Sequence, residues 1–502
     1  MKYETLRNGV VNFAGGVLPA LVMLFTTPYI VNTMGDTSYG VLTLITAIVG
    51  YFAFLDLNVT AGSVKYVAEY HATGNIHKRN QMLTSGIGLY LAIGLIGCAL
   101  ILLFDDALLD HVFEIPAEFR AEAGDALTLA AFGFLFGQLQ VYLNSVPQSI
   151  RRYDQTAVLE TVFGVVTPLS MVVVLWLGFG LVEIVAVRVL VSVANNLVLV
   201  GVIGRLLPDI ALARPDRASL ATLGKFSGFA YLSRLATVAY AQGDKLILGA
   251  LVSMSALTSY AVPFMLVNRV FGMSFRLGGV LFPVASALAA NREIERLREL
   301  YLYAARYVFF VNAGLALVFT TLAHEILLHW ISPSLASAGA SVLAVIALAS
   351  LADSLTNAPS LINDGLGHPH ITGGFALARA LFGVTLTLVF VHQLGMMGAA
   401  WAQLVTSAVM AGLFLIYVHG RSVPVSLRGY LRIVVAPSLP VVGLAIVVVY
   451  LRFGASPLTL AETLLVVMLE GFALGVYALL FVFRRADRLA LLARLHLPRP
   501  GV

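Results

Sequence analysis

About fourteen runs of roughly twenty apolar residues, parted by short polar breaks, constrain this chain more than any other feature. They fall near residues 9–32, 40–63, 81–104, 125–148, 156–177, 181–204, 226–249, 256–284, 302–323, 340–361, 372–391, 396–418, 430–451 and 460–483. Surrounded by acyl chains, a backbone finds no water to bond, so a spanning segment must be a helix or a strand of a closed barrel. Barrel strands alternate apolar and polar over about ten residues, which these runs do not do. Only 11% of the residues are charged and 59% are hydrophobic, against about 25% charged in soluble domains. The expected fold is an all-α polytopic membrane protein.

The cations give its orientation. With the N-terminus inside, the inner breaks hold Lys2, Arg7, Lys65, Lys78, Arg79, Arg151, Arg152, Arg205, Arg214, Arg217, Lys225, Arg292, Arg296, Arg298, Arg421, Arg428, Arg432 and the tail from Arg484 onward, and the outer breaks hold only Arg120 and Arg452. Cytoplasmic loops collect Lys and Arg, so both termini are expected in the cytoplasm. Lys2 and Arg7 before an apolar run superficially match a leader, but that run is long and lacks an A-x-A site, so it reads as a retained first helix.

Thr37-Ser38-Tyr39-Gly40 and Thr258-Ser259-Tyr260-Ala261 each open the second helix of a pair. Superposing them sets helices 1–6 on helices 7–12 in the same orientation, the plan of a two-lobed transporter. The expected organisation is a six-helix lobe over 1–210, a second over 211–420, and helices 13 and 14 with a tail over 421–502.

Several chemistries are excluded. His324 and His329 of HEILLH are five apart, about 140° around a helix, so they cannot share a metal as H-E-x-x-H does. GIGLYL at 86–91 lacks the third glycine of a dinucleotide loop, and no G-x-x-x-x-G-K-[ST] occurs. The net charge of +5 comes without a basic, aromatic-interleaved surface segment, so nucleic acid is not a partner. Cys98 has no second cysteine to pair with. No catalytic residue, metal or cofactor is expected.

What remains is charge inside the spans: Arg188, Arg234, Lys245, Arg269, Arg276, Arg306 and Arg379. Arg306 and Arg379 lie near helix ends, where a long side chain reaches the headgroups. Arg234, Arg269 and Arg276 lie deeper, and an arginine at a bilayer centre costs about 2.5–3.5 kcal/mol even on the permissive scale. In the stretch NRVFGMSFRLGG, Arg269 and Arg276 are seven apart and differ by about 20° around the helix, as do Arg234 and Lys245 at eleven. Arg234, Arg269, Arg276 and Lys245 therefore serve as candidate contacts to an anionic substrate, with arginine suited to bidentate phosphate bonding. Alternatively, these cations neutralise Asp56, Glu183, Asp244 or Asp353 and fix helix packing. Asp56, Glu183 and Asp353 are also the candidates for coupling an ion, and Tyr231, Tyr240 and Asn268 for sugar contacts.

PYIVNTMGDTSYGVLTLITAIVGYFAFLDL at 28–57, QGDKLILGALVSMSALTSYAV at 242–262 and LFPVASALAANREIERLREL at 281–300 resemble the Wzx-type polysaccharide flippases of the multidrug/oligosaccharidyl-lipid/polysaccharide (MOP) exporter superfamily. Asp56 stands at the acid of that family's D-x-G pattern, with Asn58 replacing the glycine. The resemblance implies two lobes around a cavity that opens alternately to either side of the bacterial inner membrane. It also implies outward movement of an undecaprenyl-diphosphate-linked oligosaccharide for surface polysaccharide synthesis, with membrane lipids and polysaccharide polymerase machinery as partners. By position it gives Arg234, Arg269 and Arg276 the diphosphate, and helices 13 and 14 the lipid tail. Two readings compete: a drug or metabolite exporter of the same superfamily, and a membrane polymerase or ligase of lipid-linked glycans. The latter needs outer-face catalysts, and the acidic 105–125 connection offers only His111 and Arg120.

Overall fold

The computed structural model describes residues 2–56, 59–211, 213–214, 217–277, 281–423, 425–452, 454, 456–484 and 487, with side chains at all of these except 2–15, 61, 217–230, 232–234, 276–277 and 283. Among the described residues every regular element is a helix. In chain order these are α1 (Lys2–Met34), α2 (Asp36–Tyr51), α3 (Thr60–Ala72), α4 (Ile76–Ala107), α5 (Ala117–Ser149) and α6 (Tyr153–Trp176). There follow α7 (Leu181–Leu206), α8 (Arg217–Leu251), α9 (Met254–Leu277), α10 (Leu281–Ala290), α11 (Ile294–Thr321) and α12 (Ala323–Trp330). The chain continues with α13 (Pro333–Gly365), α14 (Pro369–Leu394), α15 (Met396–Arg421), α16 (Leu427–Tyr430), α17 (Leu439–Arg452) and α18 (Leu460–Tyr477).

Twelve stretches among the described residues are long and apolar enough to cross a bilayer. They coincide with twelve of the runs read from the sequence, and α8 and α9 coincide with the other two. The protein is an all-α, multi-pass membrane protein.

Several spans are not simple rods. After α2 the chain tightens into a 3-10 turn at Phe52–Leu55, and Asp56 then turns extended. Wider π turns close α4 at Leu108–Val112 and α18 at Ala478–Val482. A third π turn at Leu431–Val435 runs into a 3-10 turn holding Pro437, whose missing N–H breaks the ordinary ladder.

Packing separates two compact units, Met1–Val262 with Ala376–Ala399, and Pro263–Phe375 with Ala400–Val502. In the first, α4, α5 and α7 form the centre and α1 lies on α6. Between membrane helices close approach replaces the hydrophobic effect as the source of attraction, so small residues mark the tight crossings. A Cβ on Gly86 of α4 would lie 2.1 Å from the Tyr142 ring of α5, and one on Gly40 of α2 would lie 2.1 Å from the Met254 carbonyl oxygen at the start of α9. Beside that crossing Thr258 donates to the Asp36 carbonyl at 2.5 Å, so the two Thr-Ser-Tyr segments meet at the starts of their helices. In the second unit α13 packs on α10, α11 and α12, with α17 against α11.

Candidate functional site

A polar recess inside the first unit is built by α7. Its sequence, LVEIVAVRVLVSVANNLVLVGVIGRL, carries a stripe of Arg188, Ser192 and Asn195 at i, i+4 and i+7, which a 3.6-residue period puts on one face, between Glu183 at its start and Arg205 at its end. The start of the helix is fixed by two carboxylates: the Gly180 N–H donates to Glu183 at 3.0 Å and the Leu181 N–H to Glu122 at 3.1 Å. Both acids satisfy amides that a helix start otherwise leaves orphaned. Arg188 then projects from the second turn, between α2, α5 and α6.

Two recesses adjoin there, of about 270 and 280 Å³. Arg188, Thr167 and Ser192 line both. One is otherwise apolar, with Ile45, Val49, Ala130 and Val185. The other carries Gln140, Glu160 and Asn195 beside Phe163.

The Arg188 guanidinium donates to Thr46 Oγ1 at 3.0 Å, and the Thr46 hydroxyl in turn donates to the Leu42 carbonyl at 2.8 Å. Thr46 is thus a neutral partner already engaged, and Arg188 keeps most of its five donors for something else. Among the described residues no carboxylate lies within ion-pair distance of it. Asn195 is 4% exposed and its Oδ1 accepts no hydrogen bond among the described residues. Buried amide oxygens without a donor are rare. Ser192 donates to Gln140 Oε1 at 3.3 Å, holding that amide along the wall. A cation with free donors, an unfilled acceptor and a hydroxyl-amide wall suit a ligand carrying both negative charge and hydroxyl groups.

The residues chosen from sequence fare differently. Arg234 and Arg276 lie on α8 and α9, but their side chains fall outside the described set. Arg269 is exposed on α9, and neighbouring Asn268, also exposed, donates to the Phe264 carbonyl at 2.8 Å. Lys245 pairs with adjacent Asp244 at 3.5 Å and donates to the Ala241 carbonyl at 2.9 Å. Asp244 also accepts from buried Tyr260 at 2.6 Å, so here the cation sits in a packing network.

Asp56, 4% exposed, accepts from Tyr90 at 2.7 Å where α2 breaks. Glu183 is the helix cap already described, and Asp353 is half-buried on α13. Tyr231 is half-buried on α8. Tyr240 accepts from Arg379 at 2.9 Å and stacks under its guanidinium at 4.8 Å. Arg306 reaches the Phe481 carbonyl in the π turn after α18, a backbone oxygen rather than a headgroup.

Arg188 is the functional candidate that reasoning by single charges passes over. It has no second cation a heptad away, and its signal is the polar stripe it shares with Ser192 and Asn195.

Comparison with known proteins adds an independent line. The family described as "Polysaccharide biosynthesis protein" matches residues 5–289. A probable flippase, AglR of Haloferax volcanii, is 21% identical over 404 residues, 80% of each chain. A putative O-antigen transporter of Shigella flexneri is 23% identical over 107 residues, covering 21% of this chain and 25% of that relative's length. Among solved structures, an inward-facing multidrug resistance MATE family transporter of the MOP superfamily superposes with a TM-score of 0.64 at 18% identity, over 84% of this chain and 99% of that one. A MOP superfamily transporter from Pyrococcus furiosus, described by a reversed polarity of its binding pocket, gives a TM-score of 0.59 at 17% identity, over 83% and 94%. At these identities the structural likeness establishes the fold.

Proposed function

Because the chain belongs to the polysaccharide biosynthesis protein family, we propose that it is a transporter, not an enzyme, and that it moves a lipid-linked oligosaccharide diphosphate across the bacterial inner membrane. The observation that carries this reading is Arg188, a cation inside an apolar bundle with one neutral partner and a polar recess beside it. Burying a cation unpaired is costly, and a negatively charged, hydroxylated cargo supplies what the site lacks. Membership of the family and the likeness to relatives named as a flippase and an O-antigen transporter support the same class of cargo. The lipid is undecaprenyl diphosphate, the direction is outward, and the site opens in turn to either side.

The cations read from the sequence, Arg234, Arg269, Arg276 and Lys245, contact the diphosphate, and Arg188 offers its spare donors to the same cargo. The sequence contains no phosphate-binding loop for a nucleotide, so energy comes from a gradient or from the cargo's own concentration difference. Both termini face the cytoplasm, with membrane lipids and polysaccharide polymerase machinery as partners.

The test is translocation by the purified protein in liposomes loaded with lipid-linked oligosaccharide diphosphate. Wild type should move it and Arg188→Ala should move it poorly while folding normally. Full-rate movement by folded Arg188→Ala, or by a quadruple variant at positions 188, 234, 269 and 276, would reject the cationic site. Movement of cationic drugs instead, abolished by Glu160→Gln, would favour a drug exporter.

A further inference from the structure

Far from Arg188 in the chain, the second unit buries a group of charged side chains that the transport reading does not use. Arg452, the last residue of α17, donates to the Thr321 carbonyl at 3.1 Å and to Glu325 Oε1. Thr321 ends α11 and its hydroxyl donates at 3.1 Å to Glu470 Oε1, on the third turn of α18. Glu325 and Glu470 are 4% and 8% exposed. Glu470 Oε2 is buried with no hydrogen-bond partner among the described residues.

The charges do not balance. With both acids ionised, two carboxylates face one guanidinium, and the cluster buries a net charge of minus one, which a low-dielectric interior resists. Glu325 is the ionised one of the two. Burial alone would push it up, but the Arg452 hydrogen bond and backbone amide donors hold it below the usual carboxylate range. The surplus charge therefore falls on Glu470, at the one oxygen without a donor.

A metal ion does not fit there, because hard cations need several converging oxygens and the adjacent charge is a guanidinium. A proton fits, since it neutralises the cluster and turns the orphan oxygen into a hydroxyl. Among the described residues no other titratable side chain is bonded to this cluster. α11 presents Thr321, α12 presents Glu325, and Arg452 comes from α17. His329 of α12 bonds the Leu458 carbonyl, and Glu462 on α18 itself is spent capping Thr459.

We infer that Glu470, with Arg452 and Glu325, forms a proton-binding site where α17 and α18 meet α12, and that Glu470 takes up and releases one exchangeable proton as Arg452 is shared between the two carboxylates. The helices beyond the twelve-helix repeat would then respond to proton concentration whatever cargo the bundle carries.

The test needs no cargo. Infrared difference spectra of the purified full-length protein in lipid nanodiscs, recorded across a pH titration, should show a protonated-carboxyl C=O band that Glu470→Gln lacks while its thermal denaturation remains cooperative. In Glu325→Gln the band should persist and titrate at lower pH, because Arg452 then serves Glu470 alone. A band of full amplitude in folded Glu470→Gln, or one that vanishes in Glu325→Gln, would overturn the assignment. Should Glu470→Gln fail to fold, the Glu325→Gln spectrum decides by itself. Absence of oligosaccharide movement in liposomes would reject the cargo reading and leave this band untouched.

Discussion

Two arginines inside the helices of this protein, Arg188 and Arg452, meet opposite fates. Arg452 bonds a carboxylate and a backbone carbonyl, and the threonine that owns that carbonyl bonds a second acid. Arg188 bonds one threonine hydroxyl and faces a recess. Both are guanidiniums in apolar surroundings, so residue type cannot separate structure from function. The inventory of partners does: a cation whose donors are consumed fixes helices, and one whose donors are spare is ready for a ligand.

The contrast breaks most directly at Arg452. Arg452→Gln leaves Glu325 without its cation and should cost about 3–5 kcal/mol, seen as lost folded protein or a lowered Tm in detergent. Arg188→Gln strands no carboxylate, so a loss of that size there would erase the distinction.

Arg188 should fail in transport instead. Charge-assisted hydrogen bonds contribute about 1.5–3 kcal/mol, so oligosaccharide movement by Arg188→Ala should fall about tenfold to hundredfold. Arg188→Lys should recover part of it, since it restores charge without the planar fork.

Thr46→Val sharpens the comparison further. It removes the only hydrogen-bond partner of the Arg188 side chain among the described residues and should lower stability by about 1 kcal/mol, with a severalfold loss of transport from a guanidinium no longer aimed. The smallest effect belongs to a third kind of pair, Arg79 with half-exposed Asp209 at 3.0 Å. The hydrogen bond from Arg79 holds Asp209 below the ordinary carboxylate range. Its stabilisation is present above the unfolded value of about 3.9 and is lost as pH falls through the lower folded value. Asp209→Asn should therefore flatten the acid limb of a stability profile, lowering stability slightly at neutral pH and leaving it unchanged below the folded value.

The helices were legible in the sequence because bilayer thickness imposes a length on each apolar run, and a length is easily counted. The site was less so. Angular arithmetic put Lys245 on the face of Arg234 but gave no sign of its pairing with the preceding residue, since a lysine stem is long enough to fold back on Asp244. Glu183 looked like an intramembrane acid, but it caps the start of α7, where Gly180 stands in the place usually taken by serine or threonine. Glu470 could not be read at all, because its partners come from three other elements and no local pattern records which oxygen goes unfilled.

The crossing of α2 and α9 offers one more consequence. Gly40 allows its helix to touch the backbone of Met254, and the carbonyl there cannot rotate out of the way as a side chain could. A methyl group at position 40 would consequently raise the energy of this arrangement and of no arrangement in which the two helix starts stand apart. Residue 40 thereby acts as a chemical thermometer of population: the fraction of Gly40→Ala molecules displaced from this state, read by distance labels on α2 and α9, measures how much free energy separates it from its neighbours.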